Sequence, residues 1–415
     1  MNQQKVFLIQ INGRDHQGLT KDISKVLADY QADILDIGQS VIHKTLALGV
    51  LIAIDCEKDS EQLLQTLQAT FTEAPIMVSW QEVSQEKYQE WVLAQGKNRY
   101  IVTLLSKKMQ ANDLQAVSEI ITQNNLNIET ISRLSGRIPL DQKNEEHSAE
   151  CIEFSIRGKP SDITNLRQNF LKIAGELDVD LAFQVDNAFR RDRRLVVFDM
   201  DSTLIEAEVI DELAKRAGVG DAVVKITESA MRGEIDFKHS FEKRLALLEG
   251  LSESCLSEIA AELTLTPGAE KLIRTLRVLG YKTAIISGGF EYFGEYVKQK
   301  LGMDYVFANQ LEIIDGKVTG CVRGDVIDAA HKAVLLKELA KKEKIHLQQV
   351  IAVGDGANDL KMLSAAGLGI AFRAKPLVKK SAKQSLSTFG LDGILYLMGM
   401  SQKDIQELLE LSLNR

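Results

Sequence analysis

Two carboxylates spaced i, i+2 follow directly on an apolar run in Val196-Val197-Phe198-Asp199-Met200-Asp201-Ser202-Thr203. Acids that close repel each other unless a cation or a proton is shared between them. One ionised and one protonated carboxyl can attack as a nucleophile and move a proton, and hard oxygen ligands suit a small divalent cation. Taken alone, the segment fits a helix-capping turn equally well.

Three later segments change that balance. Residues 283–290, TAIISGGF, run from apolar residues into Ser287, Gly288 and Gly289. A hydroxyl beside bare backbone N–H groups can hold phosphate oxygens, because glycine permits close approach. Lys332 opens a helical pattern, where the dipole favours anions, and can pair with a phosphoryl group and with Asp199. Residues 350–359, VIAVGDGAND, end another apolar run in Asp355, with Asn358 and Asp359 at a helix start. Asp355 can supply a metal ligand, while Asn358 and Asp359 orient waters or hold Lys332. Each segment alone reads as an ordinary connection or a solvated lysine. Four in this order point to one site at the carboxyl edge of a parallel sheet, where open α/β folds bind ligands.

The quartet resembles the haloacid dehalogenase superfamily, and within it the phosphoserine phosphatases. The string DMDSTLIEAEVIDELAKRAG, residues 199–218, carries most of that resemblance, which spans about 194–389. It implies a doubly wound parallel-sheet α/β domain over 187–415, with a helical cap at about 208–267. It implies Asp199 as nucleophile, Asp201 as acid and base, and Lys332 as the charge partner. Magnesium would sit on Asp199, the main-chain carbonyl of Asp201, and Asp355, with Asp359 in support. Glu208, Met231, Phe237 and Arg244 of the cap, with Ser287, Gly288 and Asn358, would bind O-phosphoserine. Arg244 would take its carboxylate and Glu208 its ammonium. The implied reaction is hydrolysis to serine and phosphate, the last step of serine biosynthesis. A phosphotransferase or phosphomutase on the same fold stays open, as does a ligand-sensing regulatory protein with a silent catalytic half.

The elements ahead of this half read as a duplication. Strands over 6–11, 34–43, 47–54 and 76–80 with helices over 22–30 and 60–70 make a ferredoxin-like βαββαβ unit in 1–84. A second such unit fills 99–186, after a polar link over 85–98. In the first, Gly13-Arg14-Asp15-His16-Gln17-Gly18 lies between strand and helix and resembles the ligand loop of ACT domains. The glycines permit a tight turn; Asp15 could cap the next helix or hold an α-amino group. The matching stretch of the second unit has lost both glycines and the Asp, which makes scaffolding its expected role. The resemblance implies a homodimer and serine, or another amino acid, as effector.

Composition excludes several classes. The 415 residues carry a net charge of −8, so nucleic acid is not an expected partner. The run Arg190-Arg191-Asp192-Arg193-Arg194 reads as a solvated junction. Four scattered cysteines suggest buried free thiols in a reducing cytoplasm, with neither disulfides nor zinc. No leader or membrane-length apolar stretch is read, so no membrane partner is expected.

Overall fold

The computed structural model describes residues 4–55, 60–71, 75–94, 98–137, 139, 149–231 and 234–413. By compactness the chain divides into Met1–Lys97 and Asn98–Arg415. The first unit holds strands β1 (Gln4–Arg14), β2 (Asp33–Ile42), β3 (Thr45–Asp55) and β4 (Ile76–Val83) in the antiparallel order β2-β3-β1-β4. Helices Leu19–Asp29 and Ser60–Thr70 supply Ile23, Val26, Leu27, Leu63 and Leu67 to its core. On β1, Ile9 and Ile11 are buried while Gln10 and Asn12 are exposed, the alternation of a sheet with one covered face. The expected polar link is instead a helix, Gln85–Leu93. Its start is capped by the Ser84 hydroxyl, which accepts the Lys87 N–H, and its Gln, Glu and Lys residues are good helix formers.

The second ferredoxin-like sheet has β5 (Arg99–Ser106), β6 (Leu126–Arg133), β7 (Glu150–Gly158) and β8 (Asp180–Val185) in the equivalent order β6-β7-β5-β8. The remaining strands are β9 (Leu195–Phe198), β10 (Lys282–Phe290), β11 (Tyr305–Ile314), β12 (Lys317–Arg323), β13 (Val350–Gly354), β14 (Leu368–Phe372) and β15 (Gln384–Leu386). They form one sheet, β12-β11-β10-β9-β13-β14-β15, parallel except for β12. Both faces of this sheet are covered. Val196 and Phe198 of β9 join one core, and Leu195 and Val197 join the other. The chain leaves β9 for β10 on one side and later reaches β13 on the other, which opens a crevice at the carboxyl end of β9. Between β9 and β10 lie the helices Val209–Arg216, Gly220–Met231, Phe237–Ala246 and Ser254–Glu262 of the expected cap.

The second ferredoxin-like unit is joined to the seven-stranded sheet. Gln384 of β15 accepts the Phe183 N–H at 2.7 Å and donates its amide to the Phe183 carbonyl, so one side chain completes the ladder of edge strand β8. Asp180 accepts the N–H groups of Ser387 and Thr388 at 2.7 and 2.8 Å. Leu105, Cys151 and Ala182 enter the same core as Phe198.

Two sequence readings are corrected here. The arginine run is not simply solvated: Arg190 and Arg193 are buried, the first paired with Glu153 and the second donating to the Gln348 carbonyl. Tertiary packing at this junction converts half of a charged run into internal ties. Of the thiols, Cys151 is buried, but Cys321 lies exposed on edge strand β12; Cys56 lies outside the described residues.

Candidate active site

The carboxyl ends of β9, β10 and β13 converge as their parallel pairing dictates, since Phe198 stands opposite Ile285 and Val353. Asp199 continues β9 by donating its N–H to the Val353 carbonyl at 2.9 Å. Its Oδ1 accepts the Met200 N–H at 2.7 Å, and its Oδ2 meets the Lys332 Nζ at 2.8 Å. The same ammonium donates to Asp359 Oδ1 at 2.7 Å, and all three residues are buried. Lys332 arrives on the helix Ala329–Lys342, whose start is capped by Asp328. Burial alone would lower the Lys332 pKa, but the two carboxylates hold it above its usual value.

Asp199, Asp355 and Asp359 can each bring an oxygen within 4.8 Å of the others. Asp359 has both oxygens engaged, one by Lys332 and the other by the Gly356 N–H at 2.9 Å. Asp355 is the freer member and accepts the Thr203 hydroxyl at 3.3 Å. Its pKa is raised to about 8 by burial and then by the Asp199, Asp359 and Glu208 charges, against the pull of Lys332. A carboxylate cluster so short of positive charge fits a hard divalent cation on Asp199 and Asp355.

Asp201 is held differently. Its Oδ1 accepts the Val209 N–H at 3.2 Å, at the start of the first cap helix. Desolvation, followed by the Glu208 and Asp199 charges, raises its pKa well above the usual carboxylate range. Ser202 between these residues has φ 55°, a left-handed conformation unusual for serine, and donates to Glu208 Oε1 at 2.8 Å. A Cβ at Gly289 would lie 2.5 Å from Asp201 Oδ2, so a larger residue there would displace the Asp201 carboxyl. Ser287 is buried and accepts the Gly289 N–H at 3.0 Å, within the irregular 287–289 stretch where the register of β10 shifts. Asn358 sits in the short 3-10 turn Ala357–Asp359 after β13.

In the cap, Arg244 donates to the Ser240 carbonyl at 3.3 Å. Burial lowers its pKa, against the pull of Asp211, Glu208 and Asp201. Met231 ends one cap helix and Phe237 begins the next; their side chains lie outside the described residues. In the first ferredoxin-like unit, Gly13 packs against Pro75 and Ile76, and Gly18 at φ 95° starts the helix with no side-chain cap. Asp15 therefore does not cap that helix; its backbone N–H reaches the Lys44 carbonyl at 2.9 Å.

Three residues carry the site without having been singled out in the sequence. Thr203 steadies Asp355 and Ser202 steadies Glu208; the signal was their place inside DMDST. Asn309 on β11 donates to the Gly288 carbonyl at 2.8 Å and accepts the Ile327 N–H at 2.9 Å. It ties the irregular 287–289 stretch of β10 to the segment leading into the Lys332 helix. No local pattern marks it, since its partners are 21 and 18 residues away.

Comparison with known proteins agrees with this geometry. Residues 196–364 match the haloacid dehalogenase-like hydrolase family and residues 5–81 the ACT domain. A phosphoserine phosphatase of Streptomyces coelicolor is 38% identical over 405 residues, covering 96% of this chain and 93% of that protein. One from Archaeoglobus fulgidus is 50% identical over 243 residues, 59% of this chain and 71% of that protein. The crystal structure of a probable phosphoserine phosphatase from Vibrio cholerae, unliganded, superposes with a TM-score of 0.57 at 34% identity, covering 74% of this chain and 88% of that one. The chain belongs to the phosphoserine phosphatase family of haloacid dehalogenase-like hydrolases, with an ACT domain ahead of the catalytic half.

Proposed function

We infer that the chain hydrolyses O-phosphoserine to serine and inorganic phosphate through an aspartyl-phosphate on Asp199. The observation that carries this reading is the Lys332 ammonium lodged between Asp199 and Asp359, with Asp201 two residues on at the base of the cap. Lys332 pairs with one oxygen of Asp199 and orients its carboxylate for attack on phosphorus. Asp201, with its raised pKa, gives its proton to the departing serine oxygen as the P–O bond breaks. It then takes a proton from the water that cleaves the acyl phosphate. Ser287, the Gly288 N–H and Lys332 receive the phosphoryl oxygens, with Asn358 beside them. Arg244 pairs with the serine carboxylate and Glu208 with its ammonium, while Met231 and Phe237 screen the site. Asp199, Asp355 and the Asp201 carbonyl would hold a magnesium ion, which supplies the positive charge that lets an anion approach a phosphate.

The three-part division at 1–84, 99–186 and 187–415 belongs to the same reading. So do a cytoplasmic enzyme, a homodimer, and serine as effector near Gly13, Asp15 and Gly18. No helix among the described residues is long and apolar enough to cross a membrane. Support for pairing with a second copy comes from β2, a sheet edge with exposed Ile34, Ile37 and Ile42.

The test is a phosphate-release screen over small phosphomonoesters with magnesium. Release from O-phosphoserine into solution is expected; transfer to a second alcohol instead would favour the phosphotransferase reading. Asp199→Asn should lose roughly four decades of rate or more while melting like the parent. A variant that still turns over at a comparable rate would remove Asp199 from the nucleophile role.

A further inference from the structure

A cavity that shares no lining residue with the active site lies where the second ferredoxin-like unit meets the catalytic sheet. It measures about 690 Å³ and is bounded by the helix Ile163–Leu177, the start of β8, the helix Pro376–Ser381 and the turn after β15. That size falls within the roughly 300–1,000 Å³ usual for small-molecule sites. Leu171, Ala174 and Val179 give it an apolar floor, and Lys379 and Lys380 stand at its rim.

Its charges are unequally committed. Asp180 in the wall spends both oxygens on the Ser387 and Thr388 N–H groups. Asp178 at the edge faces the Lys107 ammonium at 3.6 Å. Neither Lys379 nor Lys380 has a carboxylate within 4 Å among the described residues. Lys379 is felt by the buried Asp180 only beyond salt-bridge distance, so the site offers apolar surface and ammonium groups without a salt-bridge partner, the complement of an organic anion. Two carboxylates in the walls disfavour a second negative charge on that ligand.

Gly175 is an independent observation. It sits exposed in the last turn of a fifteen-residue helix and lines the cavity. Glycine is a weaker helix former than alanine. Packing does not require it here, because nothing lies within 4 Å of the position its Cβ would occupy. The absent side chain leaves the cavity open.

We propose that this cavity is a binding site for a small organic monocarboxylate with an apolar body, distinct from the phosphoserine site. The carboxylate pairs with Lys379 or Lys380, and the body lies on Leu171, Ala174 and Val179. The proposal does not depend on the catalytic reading.

The experiment titrates the full-length protein with 3-phenylpropionate and, separately, with 3-phenylpropylamine, which carries a similar apolar body and the opposite charge. The carboxylate should bind one per chain with a Kd of about 1 mM or tighter, undisplaced by inorganic phosphate. The amine should bind at least roughly tenfold more weakly. Gly175→Phe, which fills the cavity, should abolish binding, and Lys379→Gln with Lys380→Gln should weaken it by roughly tenfold or more. Gly175→Ala should retain binding and raise the melting temperature, so that loss in the Phe variant reports on space. No saturable binding of 3-phenylpropionate overturns the proposal. So does equal binding of the amine, or undiminished binding to both the Phe and the double Gln variants.

Discussion

The two ferredoxin-like units share an element order and a sheet order but differ in what covers their sheets. In the first, β1 alternates buried and exposed residues over 9–12, and among the described residues its core cluster is drawn from 7–78. In the second, every residue of β5 after Arg99 is buried. Tyr100, Val102 and Leu104 fill the unit's own core, while Leu105 joins the catalytic core and the helix Gly393–Leu397 packs on the strand. The same fold thus serves once as a compact body of its own and once as a wall of the enzyme. The loop chemistry divides in the same way: the glycine turn is kept in the first unit and lost in the second.

The strongest way to break this comparison is to remove the second unit. A fragment of 187–415 bares the face that Leu105, Cys151 and Ala182 cover and leaves the Ser387 and Thr388 N–H groups without Asp180. Burial at about 25 cal/mol per Å² makes such exposure worth several kcal/mol. The fragment should melt far below 98–415, or fail to fold, whereas 98–415 should release phosphate normally. Equal melting temperatures would show that the second unit is only appended.

A smaller effect is expected from one residue of that joint. Asp180→Ala strands two backbone donors and should cost about 2 kcal/mol or more, read as a lower denaturant midpoint. Asp180→Asn sharpens the test through pH. Burial raises the Asp180 pKa, against the pull of the bonds from Thr388 and Ser387. A carboxyl whose folded pKa is raised contributes stability fully below its unfolded value of about 3.9 and loses that contribution as pH rises through the folded value. The parent should therefore lose stability over that interval relative to the Asn variant, which cannot titrate. Parallel stability profiles would show that the joint is indifferent to this charge.

The least disruptive change is removal of 1–97. Turnover at saturating substrate should change by less than about twofold, because coupling between sites of about 1–3 kcal/mol appears only when an effector is bound. Inhibition by serine should fall to what competition at the catalytic site produces. A serine response identical in 98–415 and the full chain would take the regulatory role away from the first unit.

How much was legible in the sequence follows the range of the interactions. Asp199, Asp201, Ser287, Lys332 and Asp355 stood out because each lies at a strand or helix end, where a local apolar run stops at a polar residue. The two βαββαβ units were legible for the same reason, through period and spacing. The difference between them is barely marked: VFLI in β1 and YIVTLL in β5 both read as apolar runs, and only IQIN at the end of the first run alternates. What it does not state is the partner that covers the second face.

That partner was decided by tertiary structure alone. Gln384 reads as one polar residue in a short strand, yet its amide completes the edge of β8 from 201 residues away. Asn309 joins two segments that are neighbours only because β11 lies beside β10. Arg190 and Arg193 read as solvent-facing until the strands around them close over the stems. Periodicity reports which side of an element is apolar, a local property fixed by 3.6 or 2 residues per repeat. Which surface meets that side, and which donor meets which acceptor across it, depends on chain closure over hundreds of residues, and no local spacing encodes it.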